Sequence, residues 1–288
     1  MFSTIAVGFD DSASAHDALA LARALGDERS CLVVVCAYAS GSLTSRVVPV
    51  EHGALGRDDA QARLERVREV VGDRQAVELI AREASSAAAG LDAVAREVEA
   101  DLMVVGSSHR GLLGRVLPGS TAAQVMHAAP CAVAVAPAGL RNTTPVPLGQ
   151  IGVGFDGGEE ARRALEVACR LATEHGARLH VIAVLEPVTQ TFGWAGAWMY
   201  PEFREDAISD AREQITAALN AAGHGGDTVQ EVLDGVPATE LLRASERLDL
   251  LVLGSRSYGP VGRLLLGSVA ARVAGSCACP LLVLPRGT

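Results

Sequence analysis

Two Gly-Ser pairs in this chain lie where they could bind an anion. Gly119-Ser120 and Gly267-Ser268 each open a predicted helix after a glycine-containing loop. A helix start offers unpaired backbone N–H groups and the positive end of the helix dipole, and serine adds a hydroxyl. The same residues could serve structure alone, because serine is a common N-cap and glycine lets the chain turn. An anion site and a simple helix start are both open interpretations at this point.

An anion site here would work without an ammonium group, because all 25 basic residues are arginine. The absence of lysine excludes a Walker-type phosphate loop and Schiff-base chemistry. The net charge of −9 disfavours nucleic acid and anionic lipid as partners. No stretch reaches the roughly 18 apolar residues of a membrane helix, and the opening MFSTIAVGFD lacks the features of a secretory leader. We expect a cytoplasmic protein with no membrane partner.

The sequence gives little sign of catalysis or metal binding. Serine, histidine and aspartate occur near the candidate site, but no nucleophile elbow or metal-ligand spacing accompanies them. The segment 152–157, GVGFDG, fits GxGxxG, yet its first two glycines lie inside a predicted strand, so we reject a dinucleotide fingerprint. The six cysteines form no CxxC and most lie in apolar runs, which predicts buried free thiols. We therefore predict neither a catalytic residue nor a metal site.

The chain contains an internal repeat. The matched segments include IAVGFD at 5–10 with IGVGFD at 151–156, and GRVLPGSTAAQV at 114–125 with GRLLLGSVAARV at 262–273. A stretch with three prolines, 137–149, separates the copies and is typical of a linker, since proline disfavours both helix and central strand. We predict one domain at residues 1–140 and a second at 148–288.

Each copy alternates strand and helix patterns. Ser12 or Ser14 should cap the first helix and Gly26 should end it. Near-continuous apolar runs predict strands at 5–10, 31–38, 76–82, 101–106 and 131–136, with helices at 14–25, 58–71, 87–99 and 120–128. Five strands alternating with four helices indicate a doubly wound α/β domain. Ligands of such domains bind beyond the carboxyl ends of the strands.

The repeated loops resemble those of the universal stress protein family. Members that bind ATP carry Gly-x2-Gly-x9-Gly-Ser/Thr between the fourth strand and the fourth helix. The first copy reads Gly106-x2-His109-x9-Gly119-Ser120, and the second reads Gly254-x2-Ser257-x9-Gly267-Ser268. The resemblance covers nearly the whole chain. It implies two tandem doubly wound, five-stranded parallel-sheet domains with strand order 3-2-1-4-5, the adenine nucleotide alpha hydrolase-like fold.

Both copies depart from this motif at its second glycine. His109 and Ser257 carry a Cβ, which would obstruct a left-handed backbone or the close approach of a phosphate. His109 could instead donate to a phosphate, or it could lie in solvent as an ordinary loop residue. Ser257 could donate through its hydroxyl.

The resemblance implies further contacts with an adenine nucleotide. The acidic residue that closes strand one would contact the adenosine moiety, and backbone near the end of strand two would meet the adenine. Asp10 and Asp156 could alternatively stabilise the helix starts that follow them. The residues implied to bind nucleotide are Asp10, Ala37, Gly106, His109, Gly119, Ser120 and Thr121 in the first copy, and Asp156, Val184, Gly254, Ser257, Gly267, Ser268 and Val269 in the second.

Three functions follow as hypotheses. The first, implied by the resemblance, is a stress-response regulatory protein whose domains bind an adenine nucleotide, ATP foremost, with or without Mg²⁺. The second is a nucleotide-free interaction or dimerisation module of the same fold. The third is a slow ATPase, which is the least supported because the sequence shows no convincing general base. The family also implies a homodimer and an internal pairing of the two domains through their fifth strands.

An aromatic-rich segment distinguishes the two copies. Five of the ten aromatic residues lie in 192–203, FGWAGAWMYPEF, whereas the matching stretch 40–56 has none. Clustered aromatic residues in a loop favour an interface or a lid over a pocket. The alternative is a loop that packs its aromatic residues onto its own domain.

Overall fold

The protein forms two compact units. A computed structural model describes residues 2–39, 56–71, 76–108, 114–143, 145–186, 189–255 and 266–285, and the side chains of 189–203 lie outside this description. The units are Met1–Val146 and Pro147–Thr288, here called domain 1 and domain 2. The domain limits predicted from the repeat and the linker, 1–140 and 148–288, stay predictions.

Domain 1 alternates strands and helices along the chain, as the apolar periodicity predicted. Its elements are β1 (Thr4–Gly8), α1 (Ala13–Leu25), β2 (Cys31–Tyr38), α2 (Arg57–Val71), β3 (Ala76–Glu83), α3 (Ala87–Glu97), β4 (Leu102–Gly106), α4 (Ser120–Ala128) and β5 (Ala132–Ala136). The first strand was predicted to reach Asp10, which is wrong, because β1 ends at Gly8. Phe9 still donates its N–H to the Val35 carbonyl, at 2.9 Å, before the chain leaves the sheet.

All strand pairs within domain 1 are parallel. β1 lies between β2 and β4, β3 pairs with β2, and β5 pairs with β4. The strand order is therefore 3-2-1-4-5, which confirms the predicted fold class. The chain reverses its direction of winding between β1 and β4, so the carboxyl ends of these two strands border the crevice where doubly wound sheets bind ligands.

Domain 2 repeats this arrangement. Its elements are β6 (Gln150–Gly154), α5 (Glu159–His175), β7 (Arg178–Leu185), α6 (Thr189–Ala221), β8 (Thr228–Asp234), α7 (Pro237–Ser245), β9 (Leu250–Gly254), α8 (Ser268–Ala274) and β10 (Leu281–Leu284). The parallel pairs give the order 8-7-6-9-10, the same topology as in domain 1. Its crevice lies between the ends of β6 and β9.

The cores are built from small aliphatic side chains. Every residue of β5, AVAVA, is buried, as expected for a strand covered by helices on both faces. Helix α1 begins at the predicted cap, where the Ser12 hydroxyl accepts from the Ala15 N–H at 3.3 Å. Gly26 ends this helix as predicted, although in an extended rather than a left-handed conformation. Alanine-rich helix faces let the helices approach the sheet closely.

The linker that follows β5 is tied to domain 1. A short 3-10 helix occupies Leu140–Asn142. The buried carboxylate of Asp17 on α1 accepts hydrogen bonds from the Gly139 N–H at 2.9 Å and from the Arg141 N–H at 2.8 Å. The Arg141 guanidinium also contacts it, at 3.1 Å. Three donors therefore compensate one buried charge.

The aromatic-rich segment 192–203 was predicted as a loop, which is wrong. It lies inside α6, a helix of 33 residues. The segment contains two glycines and a proline, which lower helix propensity locally. Helix formation is cooperative, so the long helix-favouring stretch that follows can extend backward through such a segment. The role predicted for its aromatic side chains falls outside the described part of the chain.

The cysteine prediction is confirmed for five of the six residues. All six thiols are free, and only Cys31 is half-buried rather than buried. Burial raises the pKa of the Cys36 thiol to about 11 and that of Cys131 to about 12. Both thiols are therefore protonated at neutral pH and act as small apolar side chains.

Candidate functional site

Domain 2 contains a cavity at the carboxyl ends of β6, β7 and β9. Its volume is about 300 Å³, at the lower end of the range for small-molecule sites. The lining residues are Gly154, Phe155, Asp156, Gly158, Glu160, Ala161, Ile182, Val184, Pro237, Leu241, Leu253, Gly254, Ser255, Gly267, Val269 and Ala270. The cavity thus lies at the crevice that the strand order defines, where the sequence predicted the ligand.

A tight turn at the end of β6 places Asp156 at the cavity. Its Oδ1 accepts from the Gly158 N–H at 3.0 Å. Gly157 between them has φ of 76°, a left-handed conformation that glycine adopts without steric cost. Gly158 is the residue before α5, and no side chain caps that helix. The carboxylate thus holds the turn and remains exposed at the rim.

The walls of the cavity are largely apolar. Ile182 and Val184 come from β7, Leu241 from α7, and Leu253 from the end of β9. Alternate residues of a strand share one face, which is why Ile182 and Val184 both reach this space. Apolar walls with one carboxylate acceptor at the rim suit a largely apolar ligand that carries a hydrogen-bond donor.

Gly254 ends β9 where α5 crosses the sheet. A Cβ on this residue would lie 2.7 Å from the Glu160 carbonyl oxygen. The equivalent residue of domain 1, Gly106, lies even closer to its helix, because a Cβ added to it would be 2.0 Å from the Ser14 carbonyl oxygen. Helix packing alone therefore requires glycine at both positions. The first glycine of the predicted motif has this structural role whether or not a ligand binds.

Ser255 follows Gly254 and was not among the predicted site residues. Its side chain is buried, with a relative exposure of 1%. The backbone N–H donates to the Leu284 carbonyl at 2.9 Å, but Oγ has no hydrogen-bond partner among the described residues. The sequence carried a signal that was overlooked: the repeat places a serine after the glycine in both copies, at 107 and 255.

The Gly-Ser pairs start their helices differently from the capping prediction. Gly119 and Gly267 are the N-cap residues, with φ of −73° and −67°, and neither has a side-chain cap. Ser120 and Ser268 are the first helical residues and are exposed. The prediction of serine as an N-cap is therefore wrong here. Helix α8 has only seven residues, so its dipole is a weak argument for an anion site. The cavity is the stronger evidence for a binding site in domain 2.

The corresponding corner of domain 1 is cross-linked by charged side chains. Asp11 takes the place of Gly157 and has φ of 62°. Its carboxylate contacts His16 Nε2 at 3.0 Å and forms an ion pair with Arg66 of α2. Arg63, one helical turn earlier, donates to the Asp10 carbonyl at 2.5 Å. Two arginines of α2 thus hold the end of β1.

The pKa of the Asp11 carboxyl lies below its ordinary value of 3.8. Burial by itself would raise the pKa, but hydrogen bonds from His16 and Arg66, with the charges of both, outweigh it. The carboxylate is therefore ionised over the physiological range. It acts as a fixed acceptor for these two side chains.

The serine after β4 in domain 1 is fully engaged. Ser107 Oγ donates to the Ala136 carbonyl at 2.6 Å and accepts from the Leu117 N–H at 3.3 Å. The Ser108 N–H donates to the Leu117 carbonyl at 2.6 Å. Ser108 also packs beside Gly119, where an added Cβ would be 3.7 Å from the Ser108 Cα. The loop before α4 therefore folds back onto the strand end.

The structure brings together only part of the predicted site. Five predicted residues line the cavity of domain 2, namely Asp156, Val184, Gly254, Gly267 and Val269. Ser268 lies at the same helix start but does not line it. Ala37 instead packs tightly against Gly90 of α3. A Cβ added to Gly90 would lie 2.8 Å from the Cβ of Ala37. His109 and Ser257 lie outside the described residues.

The described residues show neither a metal site nor a membrane span. No group of three or more His, Cys, Asp or Glu side chains there is placed to hold a metal ion. No helix in that part of the chain combines the length and apolar character needed to cross a bilayer.

Comparison with known proteins identifies the family. The sequence profile of the universal stress protein family matches residues 1–137 and again 148–285. A universal stress protein of Mycobacterium tuberculosis is 30% identical over 211 residues, which is 69% of each chain. One from Thermus aquaticus is 35% identical over 134 residues, covering 45% of this chain and 93% of its own.

Solved structures agree over almost the full length. The crystal structure of a universal stress protein from Archaeoglobus fulgidus superposes with a TM-score of 0.65 at 19% identity, covering 99% of this chain and 98% of that one. A functionally unknown protein from Pseudomonas aeruginosa gives 0.67 at 19% identity, with 99% and 93% covered. These likenesses show the fold. With two profile matches in one chain, this protein belongs to the universal stress protein family and carries two of its domains in tandem.

Proposed function

We propose that this protein is a regulatory protein that binds an adenine nucleotide, ATP foremost, in the cavity of domain 2. A general stress-response role follows from its family. The observation that carries the proposal is the cavity itself, which lies at the switch in strand order and combines apolar walls with an exposed carboxylate. Ile182, Val184 and Leu253 would enclose the base, and Asp156 would accept from the ribose hydroxyls. Gly267 at the start of α8 would leave backbone room for the remainder of the nucleotide.

Binding rather than turnover fits these residues. Asp156 already accepts from the Gly158 N–H, which suits a carboxylate that orients a ligand. A requirement for Mg²⁺ stays a prediction, as do a homodimer and the pairing of fifth strands. Analysis of nucleotide released by heating the purified protein tests the ligand, and light scattering tests the dimer.

Filling the cavity provides the sharper test. Val269 lines it, and Thr121 is the equivalent residue at the start of α4. Val269→Trp should weaken ATP binding by at least about tenfold, roughly 1.4 kcal/mol, because the indole would occupy the space of the ligand. Thr121→Trp is the matched control and should leave that affinity unchanged. Isothermal titration calorimetry of both variants measures affinity and stoichiometry.

The results separate the rival functions. Full-affinity binding by Val269→Trp would contradict the proposed site, and loss in Thr121→Trp alone would move the site to domain 1. If the wild type neither carries nor binds nucleotide, the nucleotide-free interaction module replaces this proposal. Steady phosphate release that Asp156→Asn abolishes would favour the ATPase.

A further inference from the structure

The hydroxyl of Ser255 is the least satisfied polar group at the cavity of domain 2. It is buried to 1% exposure at the end of β9, and its Oγ lacks a partner among the described residues. Nearly all buried polar side chains in folded proteins have a hydrogen-bond partner, and one without a partner weakens the fold. A partner supplied by a bound ligand would remove that cost.

Domain 1 shows that the fold itself does not leave this hydroxyl unpaired. Ser107 occupies the same position after β4, is also buried, and has relative exposure of 3%. Its Oγ donates to the carbonyl of Ala136 and accepts from the N–H of Leu117. In domain 2 the carbonyl equivalent to that of Ala136 belongs to Leu284, and among the described residues it receives the backbone N–H of Ser255 but not its hydroxyl. The same residue type is thus used structurally in one domain and is available in the other.

The direction of the strand brings Ser255 to the cavity. Leu253 and Ser255 are two residues apart and both line it. The hydroxyl therefore adds a donor beside an apolar wall. Such a position suits a ligand with a flat, apolar portion and an acceptor oxygen attached to it.

We propose that Ser255 Oγ donates a hydrogen bond to an acceptor oxygen of the nucleotide, on the ribose or on a phosphate, and that Ser107 makes no such contact. This inference rests on the function proposed above and adds a difference between the domains. Domain 2 keeps the serine hydroxyl for the ligand, whereas domain 1 uses it to fasten the loop before α4.

The test compares Ser255→Ala with Ser107→Ala in the full chain. Calorimetric titration with ATP should give about tenfold weaker binding for Ser255→Ala, as expected for loss of one hydrogen bond to a charged or strongly polar oxygen. Its melting temperature without ligand should not fall, because the hydroxyl has no hydrogen-bond partner among the described residues. Ser107→Ala should keep the wild-type affinity and lower the melting temperature by several degrees.

Adenosine distinguishes the two kinds of acceptor. A tenfold loss with both adenosine and ATP assigns the contact to the ribose, and a loss with ATP alone assigns it to a phosphate. Unchanged ATP affinity in Ser255→Ala overturns the inference but leaves the proposed function intact. A fall in melting temperature equal to that of Ser107→Ala also overturns it, since Ser255 would then have a structural partner. If the wild type binds neither ligand, both the inference and the proposed function fail.

Discussion

The two domains share one fold, yet they treat the end of their first strand in opposite ways. The turn after β1 and β6 needs a left-handed residue, which is Asp11 in domain 1 and Gly157 in domain 2. Aspartate tolerates this conformation less readily than glycine but offers a carboxylate. Asp11 uses it to hold His16 and Arg66. Glycine has no side chain to make such a contact, and the cavity beside its turn has largely apolar walls, whereas the cavity of about 630 Å³ beside Asp11 is lined mostly by charged side chains.

The serines after β4 and β9 repeat the contrast. Ser107 bonds to Ala136 and Leu117, while Ser255 lines the cavity of domain 2. The same topology can therefore bond a buried serine hydroxyl to its own backbone or place it at a cavity. A repeat in sequence does not imply a repeat in function.

The close contacts of Gly106 and Gly254 with helix backbone should give the largest effects. Gly106→Ala would place Cβ 2.0 Å from the Ser14 oxygen, and Gly254→Ala would place it 2.7 Å from that of Glu160. Overpacking against backbone cannot be relieved by a side-chain rotation, so we expect losses of about 3 and about 1.5 kcal/mol. Urea denaturation measures both. Gly225→Ala is the control, because no atom lies within 4 Å of its added Cβ. Equal losses at 106 and 254 would show that the domains do not differ in this packing.

Substitutions at the contact between Asp17 and the linker should have the second-largest effect on stability. Asp17→Ala removes the buried acceptor of the Gly139 and Arg141 N–H groups, and we expect a loss of about 2 kcal/mol because two backbone hydrogen bonds to a charged group are lost. Arg163 occupies the equivalent position of α5 and pairs with Glu159 on the helix surface. Arg163→Ala should change stability by less than about 0.5 kcal/mol. A similar effect of both substitutions would refute the special role of Asp17.

The smallest effect concerns the charged corner of domain 1. Asp11→Gly makes it resemble domain 2, and should lower stability at pH 7 by about 1 kcal/mol or less, because lost ion pairs are partly offset by relief of the left-handed backbone. The pKa of Asp11 is lowered in the folded state. The folded state therefore binds a proton less readily than the unfolded chain. The stabilisation is complete above the ordinary value of 3.8 and is lost as the pH falls through the lower folded value.

Denaturation of the wild type and Asp11→Gly between pH 7 and pH 2.5 checks this sign. The difference between them should shrink below about pH 4 and then vanish or reverse. Asp10→Asn is a suitable comparison, since Arg63 contacts the carbonyl of Asp10 rather than its carboxylate. A difference that grows at low pH would contradict the assignment.

Much of the fold could be predicted because local sequence patterns determine where its strands and helices lie. Apolar runs and helical periodicity located the strands and helices, and the repeat gave the number of domains. The ends of these elements were less certain, as β1 shows by stopping at Gly8. Segment 192–203 was misassigned because cooperative extension of α6 outweighs local glycine and proline.

The sequence by itself determined the alternation of elements, the tandem repeat and the glycine, aspartate and serine residues that meet at the strand ends. Only the tertiary structure decided how each of them is used. Gly139 donates to Asp17 across 122 positions of sequence, and Arg66 reaches Asp11 across 55. Local periodicity carries no information about such distances. Whether a buried hydroxyl bonds to the protein or stays available to a ligand is therefore settled only when distant segments pack together.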